Sequence, residues 1–247
     1  MTDEKFLDQK MDRREFLKKA GIGGAGLALG LSGASAFFNN QDSSSKKAYD
    51  GDEDISFYGK HQAGITTPMQ KACYLVVLDL HTTDKKEVIQ LFKDWTDYSS
   101  KLVEGELVKK DGSNALLPPT DTGETVGLNP YRLSLTFGVS ADFLKKLGLE
   151  SKRPKLFRDL PPFPKEQLQD KYTGGDIVIQ ACADDEQVAF HAVRNLIRKG
   201  RNKITMKWSK SGFVAIGDRK ETPRNLFGFK DGTANVTTEK EQGCLDG

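Results

Sequence analysis

Apolar residues along the chain fall into short runs and helical repeats that predict alternating strands and helices. Tyr74–Leu80 is an apolar run of strand length. Asp84 can cap a helix in which Val88, Leu91, Phe92 and Trp95 recur at helical spacing. Apolar and polar residues alternate over Leu133–Phe137, which predicts a half-buried strand. A short helix is predicted from Ser140 to Gly148, with its apolar residues on one side: Phe143, Leu144 and Leu147.

The second half of the pattern follows a proline-rich connection over residues 154–164. A strand is predicted at Ile177–Cys182 and another at Ile204–Trp208, both from their apolar runs. Between them, a helix is predicted after Asp184 with four apolar residues facing inward: Ala189, Val193, Leu196 and Ile197. The pattern therefore repeats a strand, a helix and a strand.

The end of the pattern predicts one further strand. Lys210-Ser211-Gly212 has the composition of a turn, which would lead Ile204–Trp208 into a strand at Phe213–Ile216. The order β-α-β-β-α-β with one inserted helix is typical of an α+β protein with a ferredoxin-like split β-α-β sandwich. We expect that architecture for residues 57–217.

The first 36 residues have the organisation of an export signal. A basic region that contains Arg13-Arg14 precedes a Gly/Ala/Leu-rich run from Ala20 to Leu31, and Ala34-Ser35-Ala36 has the small side chains of a signal-peptidase site. Together with Phe16-Leu17-Lys18, the arginine pair resembles the twin-arginine (Tat) consensus, although Asp12 stands where Ser or Thr is commoner. A membrane anchor or a basic amphipathic helix is the alternative, but the apolar run is short for a span. A polar, flexible linker is expected at residues 37–56.

Charge and composition narrow the classes of partner. The 247 residues include 37 Lys and Arg against 35 Asp and Glu, a net charge of +2. Such a balance argues against a nucleic-acid partner, since counterion release requires a strong basic excess. The late helix nevertheless carries a basic cluster, for which stabilisation of the helix C-terminus is favoured over contact with a propionate or a membrane: Arg194, Arg198, Lys199, Arg201 and Lys203.

Cysteine and histidine residues offer no obvious metal site. The three cysteines are far apart and show no C-x-x-C spacing, and Cys73 and Cys182 lie in apolar runs, so we interpret them as core residues rather than as metal or redox sites. A structural role is likewise favoured over iron ligation for each of the three histidines: His61, His81 and His191.

One loop contains a candidate functional residue, Asp231. Gly228 and Gly232 bracket Asp231 in a G-x-x-D-G sequence directly after the predicted sandwich. Glycines allow positive φ angles and a close approach of a flat ligand to the backbone. Taken alone, the pattern fits an ordinary surface turn equally well. The neighbouring Phe227 and Phe229 are either pocket walls or plain core residues.

Three segments in order resemble the dye-decolorizing peroxidase family. The loop Gly228–Asn235 is similar to the signature loop of that family. Phe57–Ile65 resembles the opening of its first domain, and Asp121-Thr122-Gly123-Glu124 followed by Leu133–Gly138 is a third similarity. With the Tat-like leader, the sequence most resembles the exported deferrochelatase/peroxidase branch of bacterial iron-uptake operons.

The resemblance implies a heme enzyme. Members have two ferredoxin-like domains, with heme b in the second, and the resemblance makes Asp231 the acid–base residue that moves a proton between the peroxide oxygens. Asp231, Gly232, Thr233 and Phe229 would line the heme. Residues 218–247 would begin the heme-binding half, and the proximal histidine ligand and a distal arginine are expected beyond Gly247.

The same resemblance implies the protein's partners and location. Expected partners are hydrogen peroxide, a reducing substrate or heme as substrate, the Tat translocase and membrane proteins of iron uptake. A homo-oligomer is left open, and the location is extracytoplasmic. The alternatives are a non-catalytic heme- or porphyrin-binding module and an inactive truncated product.

Overall fold

The computed structural model describes residues 55–109, 118–216 and 223–232. Predictions for the leader, including Arg13, Arg14, Ala34 and Ala36, lie outside these residues, as do most of the linker and Thr233. In the part of the chain that is described, no helix is both long enough and apolar enough to span a bilayer.

Four strands and three helices follow one another in the described residues in the predicted order. Two 3-10 turns, Glu150–Lys152 and Asp170–Tyr172, lie within the long connection. The strands and helices are β1 (Ala72–Leu80), α1 (Lys85–Val103), β2 (Ser134–Val139), α2 (Ala141–Lys146), β3 (Ile177–Ala183), α3 (Glu186–Gly200) and β4 (Ile204–Phe213).

The strands form one antiparallel sheet in the order β2-β3-β1-β4. The two β-α-β units thus interleave, with β1 and β3 side by side at the centre. Together with α1 and α3, which link the strands of each unit, this is the ferredoxin-like arrangement, and the predicted fold class is confirmed.

Helix starts are fixed by the polar residues that precede them. The Asp84 carboxylate accepts a hydrogen bond from Lys86 N at 2.8 Å, as predicted for the cap of α1. Asp185 does the same for α3, and Ser140 Oγ accepts from Phe143 N at the start of α2. These side chains satisfy amide groups that have no partner within the helix.

The core lies between the two long helices and one face of the sheet. Every second residue of β3, from Ile177 to Ala183, is buried, and β1 contributes Val76 and Leu78. Trp95 of α1 is almost fully buried at the centre of this layer. The residues that alternate with this apolar set face the other side of the sheet, where most are only partly buried and Val77 of β1 is buried.

The turn predicted at Lys210-Ser211-Gly212 is wrong. These residues continue β4, where they pair with Leu75, Tyr74 and Cys73 of β1, and the separate strand at Phe213–Ile216 does not form. The irregularity in β4 lies earlier, where the register with β1 shifts between Val77 and Leu78. A long central strand supplies partners to the end of β4, and this pairing outweighs the local turn composition.

Candidate functional site

The predicted chemical loop is a compact turn at residues 223–232. Asn225 N donates to the carbonyl of Phe229 at 2.9 Å, and Asp231 N donates to the carbonyl of Pro223 at 3.0 Å. Arg224 and Lys230 form an antiparallel bridge between the two sides. The backbone therefore folds back on itself and holds Asp231 beside the start of the segment.

Asn225 organises this turn, and the sequence reasoning missed it. Its Oδ1 accepts from the amides of Phe227 and Phe229 at 3.0 and 3.1 Å. Its Nδ2 donates to Asp231 Oδ1 at 3.0 Å. Asn commonly bonds to amides a few residues ahead in turns, so its place before Gly228 was a usable signal.

The Asp231 carboxylate is exposed, and the glycines on either side of it have a backbone conformation that other residues rarely adopt. Gly228 and Gly232 have φ angles of +84° and +73°. A Cβ added at Gly228 would meet nothing within 4 Å, so the backbone conformation, rather than lack of space, favours glycine there. The carboxylate is thus oriented by Asn225 and remains open on its other side.

The aromatic side chains of the loop do not enter the core. Phe227 and Phe229 are 87% and 70% exposed, and Leu226 is 89% exposed. Their interpretation as plain core residues is wrong. The described loop therefore displays apolar side chains and a carboxylate together on its surface.

Of the three histidines, His191 is fully committed to contacts within the domain. It is buried in α3, and its Nδ1 lies 2.7 Å from Glu124 Oε2. Its Nε2 lies 3.5 Å from Asp121 Oδ1. Glu124 also accepts from Arg194 Nη1 through its other oxygen. Arg194 of the basic cluster therefore binds a carboxylate as well as lying in the last half of the helix.

Glu124 is held in its ionised form. Burial alone would raise its pKa, but hydrogen bonds from Thr122 and His191 outweigh that effect and lower the pKa from 4.5 to about 2. The segment around it is docked on α3 by further bonds, because Thr122 N donates to Asn195 Oδ1 at 3.2 Å and Asn195 Nδ2 returns a bond to Thr122 Oγ1 at 2.9 Å. The Asp121–Glu124 motif is therefore a structural clamp.

The other two histidines lie outside this clamp. His81 is exposed and its ring Nε2 contacts Thr205 Oγ1, and His61 is partly buried in the segment before β1. Within residues 55–109, 118–216 and 223–232, no group of three or more His, Cys, Asp and Glu is arranged to hold a metal ion. Neither His61 nor His81 is therefore part of a metal-binding group among the described residues.

The chain is similar to known proteins over most of the described domain. Residues 62–214 match the family described as "Dyp-type peroxidase, N-terminal". The chain is 38% identical to a deferrochelatase of Yersinia pseudotuberculosis over 72% of its length and 42% of the relative. It is 34% identical to a deferrochelatase of Escherichia coli O157:H7 over 93% of its length and 55% of the relative.

A solved structure shows the same fold. A DyP-type peroxidase from Streptomyces coelicolor superimposes with a TM-score of 0.67 and 36% identity, over 76% of this chain and 50% of that protein. The chain thus spans about half the length of the relatives that it matches.

Proposed function

The chain belongs to the DyP-type peroxidase family, and from this premise we propose that the protein is a heme-dependent peroxidase that also releases iron from heme. The observation that carries the proposal is the 34–38% identity to deferrochelatases over 72–93% of the chain. Since the chain spans about half of those proteins, their activity is transferred here as a proposal. The relatives are enzymes by name, so they lend no support to the non-catalytic alternative.

The described loop fits one face of a heme. Phe229 offers an exposed ring, Asp231 offers an exposed carboxylate, and Gly232 has a positive φ and no side chain to hold a flat ring away. His191 does not fit as an iron ligand, because both of its ring nitrogens face carboxylates. His191 is therefore excluded as the proximal ligand of the proposed heme.

Asp231 would do the acid–base work of the reaction. Heme, when bound, supplies the redox-active iron. The Asp231 carboxylate would accept the proton of one peroxide oxygen and return it to the other, which makes water the leaving group. Its bond from Asn225 Nδ2 leaves one carboxylate oxygen for that transfer and limits rotation of the side chain. Asn225 is thus a positioning residue in this proposal.

We expect both activities from the complete open reading frame, including any codons that follow Gly247, after loading with hemin. Oxidation of a phenolic dye should require both heme and H2O2. Release of iron should appear as fluorescence of the metal-free porphyrin. Stable heme binding without either reaction would contradict the proposal and support a non-catalytic heme-binding module.

We also propose that the protein is exported from the cytoplasm before it acts. The paired arginines, the apolar run and the A-x-A site of residues 1–36 support a Tat route, which carries folded proteins, and hence an extracytoplasmic location. A protein that loads its cofactor in the cytoplasm benefits from that route. Peroxide, a reducing substrate or heme, and membrane proteins of iron uptake are the partners proposed at that location.

A further inference from the structure

Two cysteines that are remote in sequence face each other in the sheet. Cys73 of β1 and Cys182 of β3 are directly paired across the two central strands. Directly opposed residues of antiparallel strands have Cα atoms about 4.5–5.5 Å apart. A disulfide needs a Cα separation of about 4.4–6.8 Å. The backbone therefore already satisfies the distance requirement for a cross-strand disulfide.

The pair lies on the sheet face that α1 and α3 leave uncovered, and this corrects its interpretation as part of the core. Both cysteines are partly exposed free thiols. They alternate with the buried residues Ala72 and Ala181, which face the helices. Each thiol is therefore neither fully buried in the core nor fully exposed to solvent.

Access to Cys73 is open on the side away from Cys182. There its partner is Gly212 of β4, and a Cβ added at Gly212 would meet nothing within 4 Å. A molecule as small as a peroxide can therefore approach Cys73 along the sheet surface.

The two thiols differ in reactivity. A hydrogen bond from Cys182 stabilises the Cys73 thiolate and lowers the pKa of Cys73 to about 7, although burial acts in the opposite direction. The same bond, together with burial, raises the pKa of Cys182. Cys73, which also has the open side next to Gly212, is thus the nucleophile, and Cys182 keeps its proton until Cys73 has reacted.

We propose that Cys73 and Cys182 form a peroxide-oxidised dithiol, which closes reversibly into a disulfide between β1 and β3. The Cys73 thiolate attacks one oxygen of H2O2; an S–O bond forms, the O–O bond breaks, and the released hydroxide takes a proton to become water. The Cys182 sulfur then attacks the Cys73 sulfur, and the S–O bond breaks as the S–S bond forms. The oxygen leaves as a second water with the Cys182 proton. One H2O2 is reduced to two waters, and the two sulfurs lose two electrons.

This inference goes beyond the proposed function. H2O2 is the oxidant in both, but the thiol reaction needs no heme. It can therefore be tested on heme-free protein, and its failure is distinguishable from failure of the peroxidase.

The test uses the 247 residues with Cys244→Ser, in which Cys73 and Cys182 are the two remaining cysteines. The protein is reduced, freed of reductant and treated with excess H2O2 under native conditions. We expect both thiols to disappear, the intact mass to fall by two hydrogens, and a peptide with Cys73 to be cross-linked to one with Cys182. Dithiothreitol should restore both thiols.

Single variants separate the two roles. In Cys182→Ser, Cys73 should stop at the sulfenic acid, which dimedone traps. In Cys73→Ser, burial still raises the pKa of Cys182, so Cys182 should react several-fold more slowly than Cys73 does in the other variant, where the new serine hydroxyl can still donate to the Cys73 thiolate. Circular dichroism of each variant checks that the fold is kept.

Two results would overturn the proposal. One is retention of both thiols under conditions that oxidise free glutathione. The other is a gain of oxygen at either cysteine without the cross-linked peptide, since this would show that the paired thiols do not close.

Discussion

Glu124 combines a buried histidine and an arginine of α3 into one charged cluster. Its carboxylate lies 2.7 Å from His191 Nδ1 and accepts a bond from Arg194. The side chain is only 18% exposed, so solvent screens these contacts weakly. The connection that contains Asp121 and leads into β2 is thereby fixed to the helix.

This cluster makes stability depend on pH. The pKa of Glu124 is about 2 in the folded protein, below its ordinary value of 4.5. Its contribution is therefore fully present above about pH 4.5 and is lost as the pH falls through about 2. A gap of this size corresponds to on the order of 3 kcal/mol.

We expect Glu124→Gln to lower the free energy of unfolding at pH 7 by about 2–3 kcal/mol, since the variant keeps the shape but not the charge. The difference from wild type should shrink below pH 4.5. Urea denaturation at several pH values measures both effects. Glu106→Gln, at an exposed position, is the control and should change stability by less than about 0.5 kcal/mol. A pH-independent difference between wild type and Glu124→Gln would show that its charge is not the cause.

Contacts of this kind could not be predicted from the sequence. Glu124 and His191 are 67 residues apart, and no local pattern pairs them. The Cys73–Cys182 pair depends in the same way on strand register. By contrast, Asp231 and its flanking glycines were identified because a turn and its residues are adjacent in the chain.

Trp95 joins the two long helices. Its Nε1 donates to the Leu196 carbonyl of α3 at 2.8 Å, and its ring stacks on Phe137 of β2 with centroids 5.7 Å apart. The side chain is 1% exposed. One residue of α1 therefore contacts both a second helix and the sheet.

Replacement of the Trp95 indole tests how much this residue stabilises the packing of α1 on α3. We expect Trp95→Phe to lower the free energy of unfolding by about 1–3 kcal/mol, because the Leu196 carbonyl loses its donor and a small cavity remains. Ile89→Ala is the matched control on the same helix, where the side chain is 54% exposed, and it should cost less than about 0.5 kcal/mol. Equal losses in thermal or urea denaturation would contradict the assigned docking role.

Helices and strands with strong local periodicity were predicted correctly. The error in the secondary structure, a turn predicted at residues 210–212, has a physical cause. Val88, Leu91 and Trp95 mark the buried side of α1 without tertiary information. The end of β4 carries Lys210 and Gly212, whose local preference is for a turn. Their strand conformation comes from β1, which pairs with them from more than a hundred residues away.

At the scale of the whole molecule, the ferredoxin-like domain is one part of the machinery that the relatives contain. The described domain supplies the fold and presents the Asp231 turn after β4. Its buried histidine, His191, has a carboxylate at each ring nitrogen and is therefore not available to iron. The proposed activity therefore requires the Asp231 turn and, in addition, a residue that binds the heme iron.

The proposed location is tested separately from the activity. Replacement of Arg13 and Arg14 by lysine should retain the protein in the cytoplasm, since Tat-type recognition depends on the arginine pair rather than on charge alone. Cell fractionation with immunodetection measures this. Arg153→Lys, in the exposed connection, is a control and should be exported normally. Undiminished export of the double variant would show that the leader has been misinterpreted.

The central claim is that Asp231 moves the proton in a heme-dependent reaction with peroxide. The direct measurement is stopped-flow mixing of H2O2 with wild type and Asp231→Asn at equal heme occupancy, in protein from the complete reading frame. Asn keeps the side-chain volume, so heme content and fold should be unchanged. The rate constant of the heme absorbance change should fall by about a hundredfold or more. A rate close to wild type, with heme occupancy unchanged, would contradict the account and leave Asp231 with a structural role in its turn.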